Sequence, residues 1–255
     1  MKLSYRYILL TAFLLIMLGG SMLLNFLLFN RAKLYYLELN QTRLDPLGLS
    51  KYPVNINIAN TPQQLRVVFF GDSRAAGWTS PQSSKYEFIN RGISSQTSIQ
   101  TSQRFSAHVR SLKPNLVVIQ VGINDLKTIA LFPDRQQQIV TNCQANIKQI
   151  VAESQKIGAV AIVTTIFPAG DVPLDRKPFW SDEIGRAVRD VNAYIATLAN
   201  EKTIVFDAYA LLVDRQGLLL EKYKSNELHL NDAGYVLLNR ELVKIIDKID
   251  RQQTF

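Results

Sequence analysis

Ser73 stands at a position where a serine side chain could act as a nucleophile. It follows the apolar run Leu65–Phe70 and the pair Gly71-Asp72, where a buried strand would give way to a helix. Backbone N–H groups and the positive end of a helix dipole at such a point stabilise negative charge on or beside the serine oxygen. The alternative is a helix N-cap, a role that Asp72 or Ser73 alone could fill.

Two further turns carry hydrogen-bond donors of the kind that stabilise an oxyanion. The first contains Gly92 within Ile89–Ser94, and the second contains Asn124 within Val121–Asp125. Glycine permits a turn that directs a backbone N–H into a cleft, and an asparagine amide is a neutral donor that does not compete as a nucleophile. Each turn taken singly is also an ordinary connection between a strand and a helix.

His229 is the candidate general base, because it lies in the polar loop just before the last predicted helix. The other histidine, His108, lies in a helical stretch among polar neighbours, and we expect it on the helix surface. Two histidines and the single cysteine, Cys143, make a His/Cys metal cluster implausible, so any metal would need oxygen ligands. Our expectation is that the protein uses neither a metal nor a cofactor.

The elements that must position these residues alternate along the chain. Four short apolar runs are continuous rather than alternating, which is typical of strands covered on both faces: Leu65–Phe70, Leu116–Val121, Ala159–Thr165 and Thr203–Phe206. Apolar residues recur at helical spacing over 139–150, 184–198 and 238–249, which predicts three amphipathic helices. The first pattern places Cys143 in the core, and Asn231 is the predicted cap of the last helix. The pattern predicts an open, mostly parallel sheet between helical layers, with ligands at the carboxyl ends of the strands.

The N-terminal part of the chain predicts a membrane anchor. Ile8–Phe29 has no charged residue, is flanked by basic residues, and as a helix would be about 33 Å long, enough to cross a bilayer. We expect a cytoplasmic N-terminus over 1–7, a signal-anchor over 8–29, a linker over 30–64, and one domain over 65–255 in the periplasm or outside the cell. The alternative is a signal peptide cleaved near Gly19-Gly20-Ser21, which would release a secreted domain.

The composition excludes several classes of protein. A chain of 255 residues with 47% hydrophobic and 20% charged residues can bury a large core, which excludes a disordered chain. Of the net charge of +8, a large share comes from the six basic and two acidic residues within 1–60. The rest is spread without a basic stripe, so we expect no nucleic-acid partner and attribute the excess to residues beside a membrane.

Four segments in fixed order resemble the signature blocks of the SGNH (GDSL-type) hydrolases. They are Gly71-Asp72-Ser73, Gly92, Gly122-Ile123-Asn124, and His229 followed by Leu-Asn-Asp-Ala-Gly-Tyr, and the resemblance extends over about residues 65–248. It implies a flavodoxin-like three-layer α/β/α sandwich with a parallel sheet of about five strands. It also implies that Ser73 is the nucleophile and His229 the base, and that the Ser73 and Gly92 N–H groups and the Asn124 amide form the oxyanion hole.

The sequence departs from the family at Asn226, because the family has an aspartate three residues before the histidine. An asparagine oxygen can accept the imidazole N–H but brings no negative charge. Glu227 could supply a carboxylate, yet consecutive side chains of an extended segment point to opposite sides, so we do not expect both to face His229. We expect a Ser-His pair assisted by Asn226 or by a backbone carbonyl.

These observations together predict a membrane-anchored serine esterase. Its substrate would be an ester of the cell envelope, either an O-acetyl group on a polysaccharide or a lipid acyl ester. Acyl transfer to a sugar hydroxyl would use the same residues, and a non-catalytic binding protein with a degenerate hydrolase cleft is the alternative that Asn226 leaves open. The loop 167–180, with Phe179 and Trp180, is either a wall of the cleft or an anchored loop, and the same two alternatives apply to Trp78.

Overall fold

The computed structural model describes residues 4–52 and 64–252. The chain forms two units, Met1–Pro46 and Leu47–Phe255. The first unit contains helix α1 (Tyr5–Leu44), which has 40 residues and none buried. Its most apolar stretch has a mean hydropathy of 2.2, so the helix is long and apolar enough to span a membrane or act as a signal-anchor.

Helix α1 differs in extent from the anchor that the sequence predicts. The expected span 8–29 lies inside it, but the helix continues through Leu44 and is about 60 Å long. The first part of the expected linker is therefore helical. The segment Leu47–Tyr52 belongs to the second unit, and residues 1–3 and 53–63 lie outside the described residues.

The second unit is built on a parallel five-stranded sheet with the order β2-β1-β3-β4-β5. The strands are β1 (Leu65–Gly71), β2 (Tyr86–Gly92), β3 (Leu116–Gln120), β4 (Val160–Thr164) and β5 (Thr203–Phe206). Gly71 pairs with Gly92 on one side and with Gln120 on the other. The carboxyl ends of the three strands therefore meet at one edge of the sheet, as the predicted fold class requires.

Helices cover both faces of this sheet. The shorter ones are α2 (Ser73–Ala76), α3 (Ser98–Gln103), α4 (Phe105–His108), α5 (Ile123–Leu126) and α8 (Ala208–Leu212), and the longer ones are α6 (Gln136–Lys156), α7 (Asp182–Ala196) and α9 (Asp232–Gln252). Val68 and Phe70 of β1 pack with α6 and α7, whereas Val67 and Phe69 pack with α8 and α9. Each of the four is completely buried, which explains the continuous apolar run.

Two local predictions from the helical patterns are confirmed. Cys143 is fully buried on the apolar face of α6. Asn231 caps α9, because its Oδ1 accepts the Gly234 N–H at 3.1 Å.

Candidate active site

Ser73, His229 and Asn226 form a continuous chain of hydrogen bonds beyond the carboxyl end of β1. The Ser73 Oγ lies 2.9 Å from His229 Nε2, and His229 Nδ1 lies 3.0 Å from Asn226 Oδ1. Ser73 opens α2, while Asn226 and His229 belong to the loop before α9. The fold thus brings together two residues that are 156 positions apart.

The hydrogen bonds of Asn226 fix which way its amide points. Asn226 Oδ1 accepts the backbone N–H groups of Leu228 and His229, each at 2.9 Å. The oxygen, rather than the NH₂ group, therefore faces the imidazole, because a reversed amide would set donor against donor. His229 Nδ1 then carries the proton, and Nε2 is left to accept the Ser73 hydroxyl proton, which is the tautomer that a general base requires.

Glu227 does not take the place of the missing carboxylate. Its side chain is only 4% exposed and forms an ion pair with Arg176. In the described part of the chain, the acceptor that His229 Nδ1 faces is Asn226 Oδ1, at 3.0 Å. The two residues do not both face the imidazole, as expected, but the segment is a tight turn closed by Asn226 Oδ1 rather than an extended strand.

The surroundings of His229 favour its neutral form. Partial burial lowers the pKa of His229 below its ordinary value of 6.5, and the positive charge of Arg74 lowers it further. The negative charge of Glu227 raises this pKa but does not outweigh the two other effects. Asn226 adds a hydrogen bond but no charge. The imidazole is therefore unprotonated, and able to accept a proton, at neutral pH.

Two of the expected oxyanion donors remain available in this arrangement. Ser73 is the first residue of α2, and within the described residues its N–H has no hydrogen-bond acceptor. Asn124 is 5% exposed and lies in α5, which begins three residues after the last residue of β3. Its amide donates to the Gln96 carbonyl at 3.0 Å, and a second N–H of the same NH₂ group is left for another acceptor.

Gly92 has a different set of contacts from the one expected. Its N–H donates to Asn90 Oδ1 at 2.8 Å, so it could serve an oxyanion only if that bond broke. A Cβ at position 92 would lie 2.1 Å from the Ala76 nitrogen. Glycine is therefore required here because α2 packs directly on β2, and this requirement is independent of catalysis.

Asp72 caps the turn that carries the nucleophile, as its sequence position suggests. Its Oδ1 accepts the Arg74 N–H at 2.9 Å. Burial raises the pKa of Asp72 to about 6, against the opposing effect of the Arg74 charge. Because α2 has only four residues, few peptide dipoles add up, and the helix dipole contributes less at Ser73 than the sequence pattern suggests.

Arg74 is a residue of the site that sequence reasoning missed. Its side chain is fully buried, and its guanidinium donates to the carbonyl oxygens of Leu228 at 2.8 Å, Phe167 at 2.9 Å and Pro168 at 3.4 Å. Arg74 thereby joins the nucleophile turn to the histidine loop and to the loop after β4. No local signal marks it in the sequence, because Asp72 and Ser73 beside it are polar and the carbonyls that it binds come from distant segments.

Burial resolves the sequence-based alternative for Trp78, whereas Phe179 and Trp180 of the loop 167–180 differ in exposure. Trp78 is 2% exposed, stacks on Phe69 at 5.2 Å between ring centroids, and donates from Nε1 to Asn239 at 2.7 Å. It is a core residue and not a wall of the cleft. Phe179 is 63% exposed, whereas Trp180 is half-buried and helps to line a cavity of about 1030 Å³ between the loop after β4, α7 and residues 209–218.

The prediction for His108 was wrong. It is 2% exposed and lies against Arg104, at 3.2 Å from Nδ1, and against the Tyr52 ring, at 5.4 Å between centroids. Its polar sequence neighbours suggested a surface position. The helix α4 has a single turn, however, and the segment that covers it lies more than fifty residues earlier in the chain.

A parallel α/β/α sandwich with a serine and a histidine hydrogen-bonded at the strand ends is an arrangement typical of serine hydrolases. The sequence model of the GDSL-like lipase/acylhydrolase family matches residues 69–237, more than half of the chain. The protein therefore belongs to this family of ester hydrolases, as the four sequence blocks predicted. No curated protein matches it in sequence.

Solved structures of the same fold agree with this assignment. A GDSL-like lipase from Bacteroides thetaiotaomicron is 23% identical, with a TM-score of 0.60 over 81% of this chain and 97% of that one. An acetyl xylan esterase is 20% identical, with a TM-score of 0.57 over 71% and 100%. A lipase/acylhydrolase from Enterococcus faecalis is 22% identical, with a TM-score of 0.52 over 72% and 95%. At these identities the similarity establishes the fold.

Proposed function

We propose that this protein is a membrane-anchored serine esterase that works through an acyl-enzyme. The observation that carries the proposal is the hydrogen-bond chain from Ser73 through His229 to Asn226. The Ser73 oxygen attacks the ester carbonyl while its proton moves to His229 Nε2, and the alcohol leaves with that proton. Water, deprotonated by His229, then releases the acid and restores the Ser73 hydroxyl.

The Ser73 N–H and the Asn124 amide stabilise the tetrahedral oxyanion in this proposal. Asn124 is buried and held by Gln96, so its amide needs little reorganisation when charge develops. Losing one such donor typically costs about 10²- to 10³-fold in rate. Gly92 supports the site through the close packing of β2 on α2.

Asn226 orients the imidazole in this mechanism without stabilising the imidazolium by charge. In serine triads, exchanging the aspartate for asparagine lowers kcat by about 10⁴, largely because the histidine adopts the wrong tautomer. Here the two backbone N–H groups on Asn226 Oδ1 enforce the productive tautomer. The site therefore avoids the tautomer problem, and what it lacks is only the negative charge.

The substrate proposed is an ester of the cell envelope. If α1 spans the membrane with its N-terminus in the cytoplasm, the hydrolase domain faces the periplasm or the exterior. O-acetylated glycans and lipid acyl esters both occur at such a surface, and the fold similarity to an acetyl xylan esterase favours testing the glycans first. Transfer of the acyl group to a sugar hydroxyl would use the same residues.

The decisive experiment treats the detergent-solubilised full chain with a serine-directed fluorophosphonate and a panel of acetyl and longer acyl esters. We expect labelling and turnover in the wild type and neither in Ser73→Ala. Analysis of products with and without a sugar acceptor separates hydrolysis from transfer. A folded wild-type chain that is inert to both reagents would instead support the second candidate, a binding protein with a degenerate cleft, which the uncharged Asn226 favours.

A further inference from the structure

The segment Leu47–Tyr52, which directly follows the first unit in sequence, is hydrogen-bonded to the loop that carries Gly92 and Gln96. The Leu47 carbonyl accepts the Gln96 Nε2–H at 2.8 Å, and the Tyr52 hydroxyl donates to the Gly92 carbonyl at 2.6 Å. Leu49 O also lies 3.3 Å from His108 Nε2. Three successive contacts thus seat this short segment on the second unit.

The packing of the segment is specific as well. The Tyr52 ring lies under the Arg91 guanidinium, with 4.6 Å from the ring centroid to the guanidinium carbon. Gly48 has a left-handed φ of 65°, and a Cβ there would lie 3.0 Å from Ile93 Cδ1 and 3.2 Å from Gln96 Nε2. A larger residue at position 48 would be strained in its backbone and would push against Gln96.

Gln96 connects this segment to the proposed oxyanion donor. It is 5% exposed, and its side chain bridges Leu47 O and the Arg104 guanidinium. Its backbone carbonyl accepts the Asn124 amide at 3.0 Å. A single residue therefore holds the 47–52 segment with its side chain and Asn124 with its main chain.

Arg104 ties the same loop to the strand that leads to the nucleophile. The fully buried guanidinium donates to the carbonyl oxygens of Arg91 and Gly71, each at 2.8 Å. Gly71 is two residues before Ser73 and pairs with Gly92 in the sheet. Buried hydrogen bonds thus connect the segment 91–97 both to Asn124 and to Gly71, near the two proposed oxyanion donors.

We propose that the 47–52 segment is a positioning strap for the active site, and that turnover depends on its being seated. This inference rests on the proposed esterase function. With the strap released, the Gln96 NH₂ group loses the Leu47 carbonyl and the Gly92 carbonyl loses the Tyr52 hydroxyl, while Gln96 Oε1 keeps its bond from Arg104. The loop then relaxes, and the Asn124 amide is held less firmly towards the developing oxyanion. Because preorganised donors act mainly in the transition state, the loss falls on kcat rather than on KM. Gln96 and Tyr52 are positioning residues in this scheme.

The first test compares three variants of the full chain on an activated acetyl ester. Tyr52→Phe removes one hydrogen bond but keeps the ring beneath Arg91, and we expect kcat to fall about threefold to tenfold with KM unchanged. Gly48→Val disturbs the contact with Gln96, and we expect a larger fall. Lys51→Ala, an exposed position on the same segment, is the matched control and should retain wild-type kcat.

The second test separates positioning from general stabilisation by a double-mutant cycle. If the strap acts through Asn124, Gly48→Val costs much less in an Asn124→Ala background than in the wild type. A purely structural role would give the same fold-loss in both backgrounds, together with a matching fall in the thermal midpoint, and would overturn the inference.

The two proposals fail in distinguishable ways. A wild-type chain without fluorophosphonate labelling or ester turnover overturns the esterase function itself. A wild type that labels and turns over, with Tyr52→Phe and Gly48→Val indistinguishable from Lys51→Ala, overturns the strap alone.

Discussion

Arg74 Nε donates a hydrogen bond of 2.8 Å to the carbonyl oxygen of Leu228. Arg74 follows the proposed nucleophile, Ser73, and Leu228 precedes the proposed base, His229, so this bond joins the two catalytic segments. The Arg74 side chain is fully buried. The guanidinium also bonds two carbonyls of the loop after β4. One side chain of α2 therefore holds two loops of the site, and its charge lowers the pKa of His229.

Replacing Arg74 should change both the rate and its pH dependence. The neutral imidazole is the active form, so activity is lost as the pH falls through the His229 pKa. Arg74→Met removes the positive charge, which raises that pKa, so we expect the acidic limb of kcat/KM to move to higher pH. We also expect kcat to fall, because the loop that carries His229 loses the hydrogen bond from Arg74 to the Leu228 carbonyl. The measurement is a pH–rate profile of the full chain.

Arg74→Lys separates the two effects. It keeps a positive charge but loses the planar fork that reaches three carbonyls, so kcat should fall while the acidic limb stays near its wild-type position. An acidic limb that does not move in Arg74→Met, or that moves to lower pH, would contradict the electrostatic part of this account.

Much of the fold could be predicted from the sequence because β1, β3, β4 and β5 are covered on both faces. Burial on both sides requires continuous apolar runs, and each predicted end lies within one residue of the observed one. The remaining strand of the sheet, β2, was not predicted from an apolar run. It contains Glu87, Asn90 and Arg91, and its residues from Glu87 to Asn90 are only partly buried, so no continuous apolar run marks it.

The site was predictable where its geometry is local. Asn226 and His229 are three residues apart, and a tight turn stabilised by the amide oxygen of Asn226 brings their side chains together. The burial of Arg74 and His108 was not predictable, since the carbonyls and rings that surround them come from distant segments. The packing role of Gly92 was hidden for the same reason, because it depends on how closely α2 approaches β2.

Asn124→Ala should lower kcat on the best ester by about 10²-fold or more, with little change in KM, because its amide acts mainly on the transition state. The thermal midpoint should fall only slightly, since the variant gives up a single hydrogen bond to Gln96. Steady-state kinetics and a melting curve measure the two quantities separately. An unchanged kcat would remove Asn124 from the proposed oxyanion hole.

From the N-terminal helix α1 we predict how the protein divides between the membrane and soluble fractions of a cell lysate. The full chain should sediment with membranes and resist carbonate extraction, because a stretch of hydropathy 2.2 is stable in a bilayer. A fragment that begins at Leu47 should be soluble and retain the wild-type kcat, whereas one that begins at Leu65 should be soluble but slower. A mature protein beginning between Ser21 and Leu34 would instead demonstrate a cleaved signal peptide.

Asn226→Asp tests whether the missing charge limits the enzyme. The substitution is nearly isosteric, and a carboxylate can accept the same three N–H groups that now converge on Asn226 Oδ1. The added charge stabilises the imidazolium, so ester turnover should rise by about one power of ten or more. Position 226 is exposed, and solvent screening keeps the gain below that of a buried triad acid.

The same variant should alter the pH profile in a defined direction. An anion beside Nδ1 raises the His229 pKa, so the acidic limb of kcat/KM should move to higher pH while the plateau rises. Glu227→Gln is the matched control. Because the Glu227 carboxylate is paired with Arg176 and not with His229, this variant should leave the plateau nearly unchanged. A plateau that collapses in Glu227→Gln and does not rise in Asn226→Asp would show that Glu227 already supplies the charge, and the roles assigned to the two residues would be reversed.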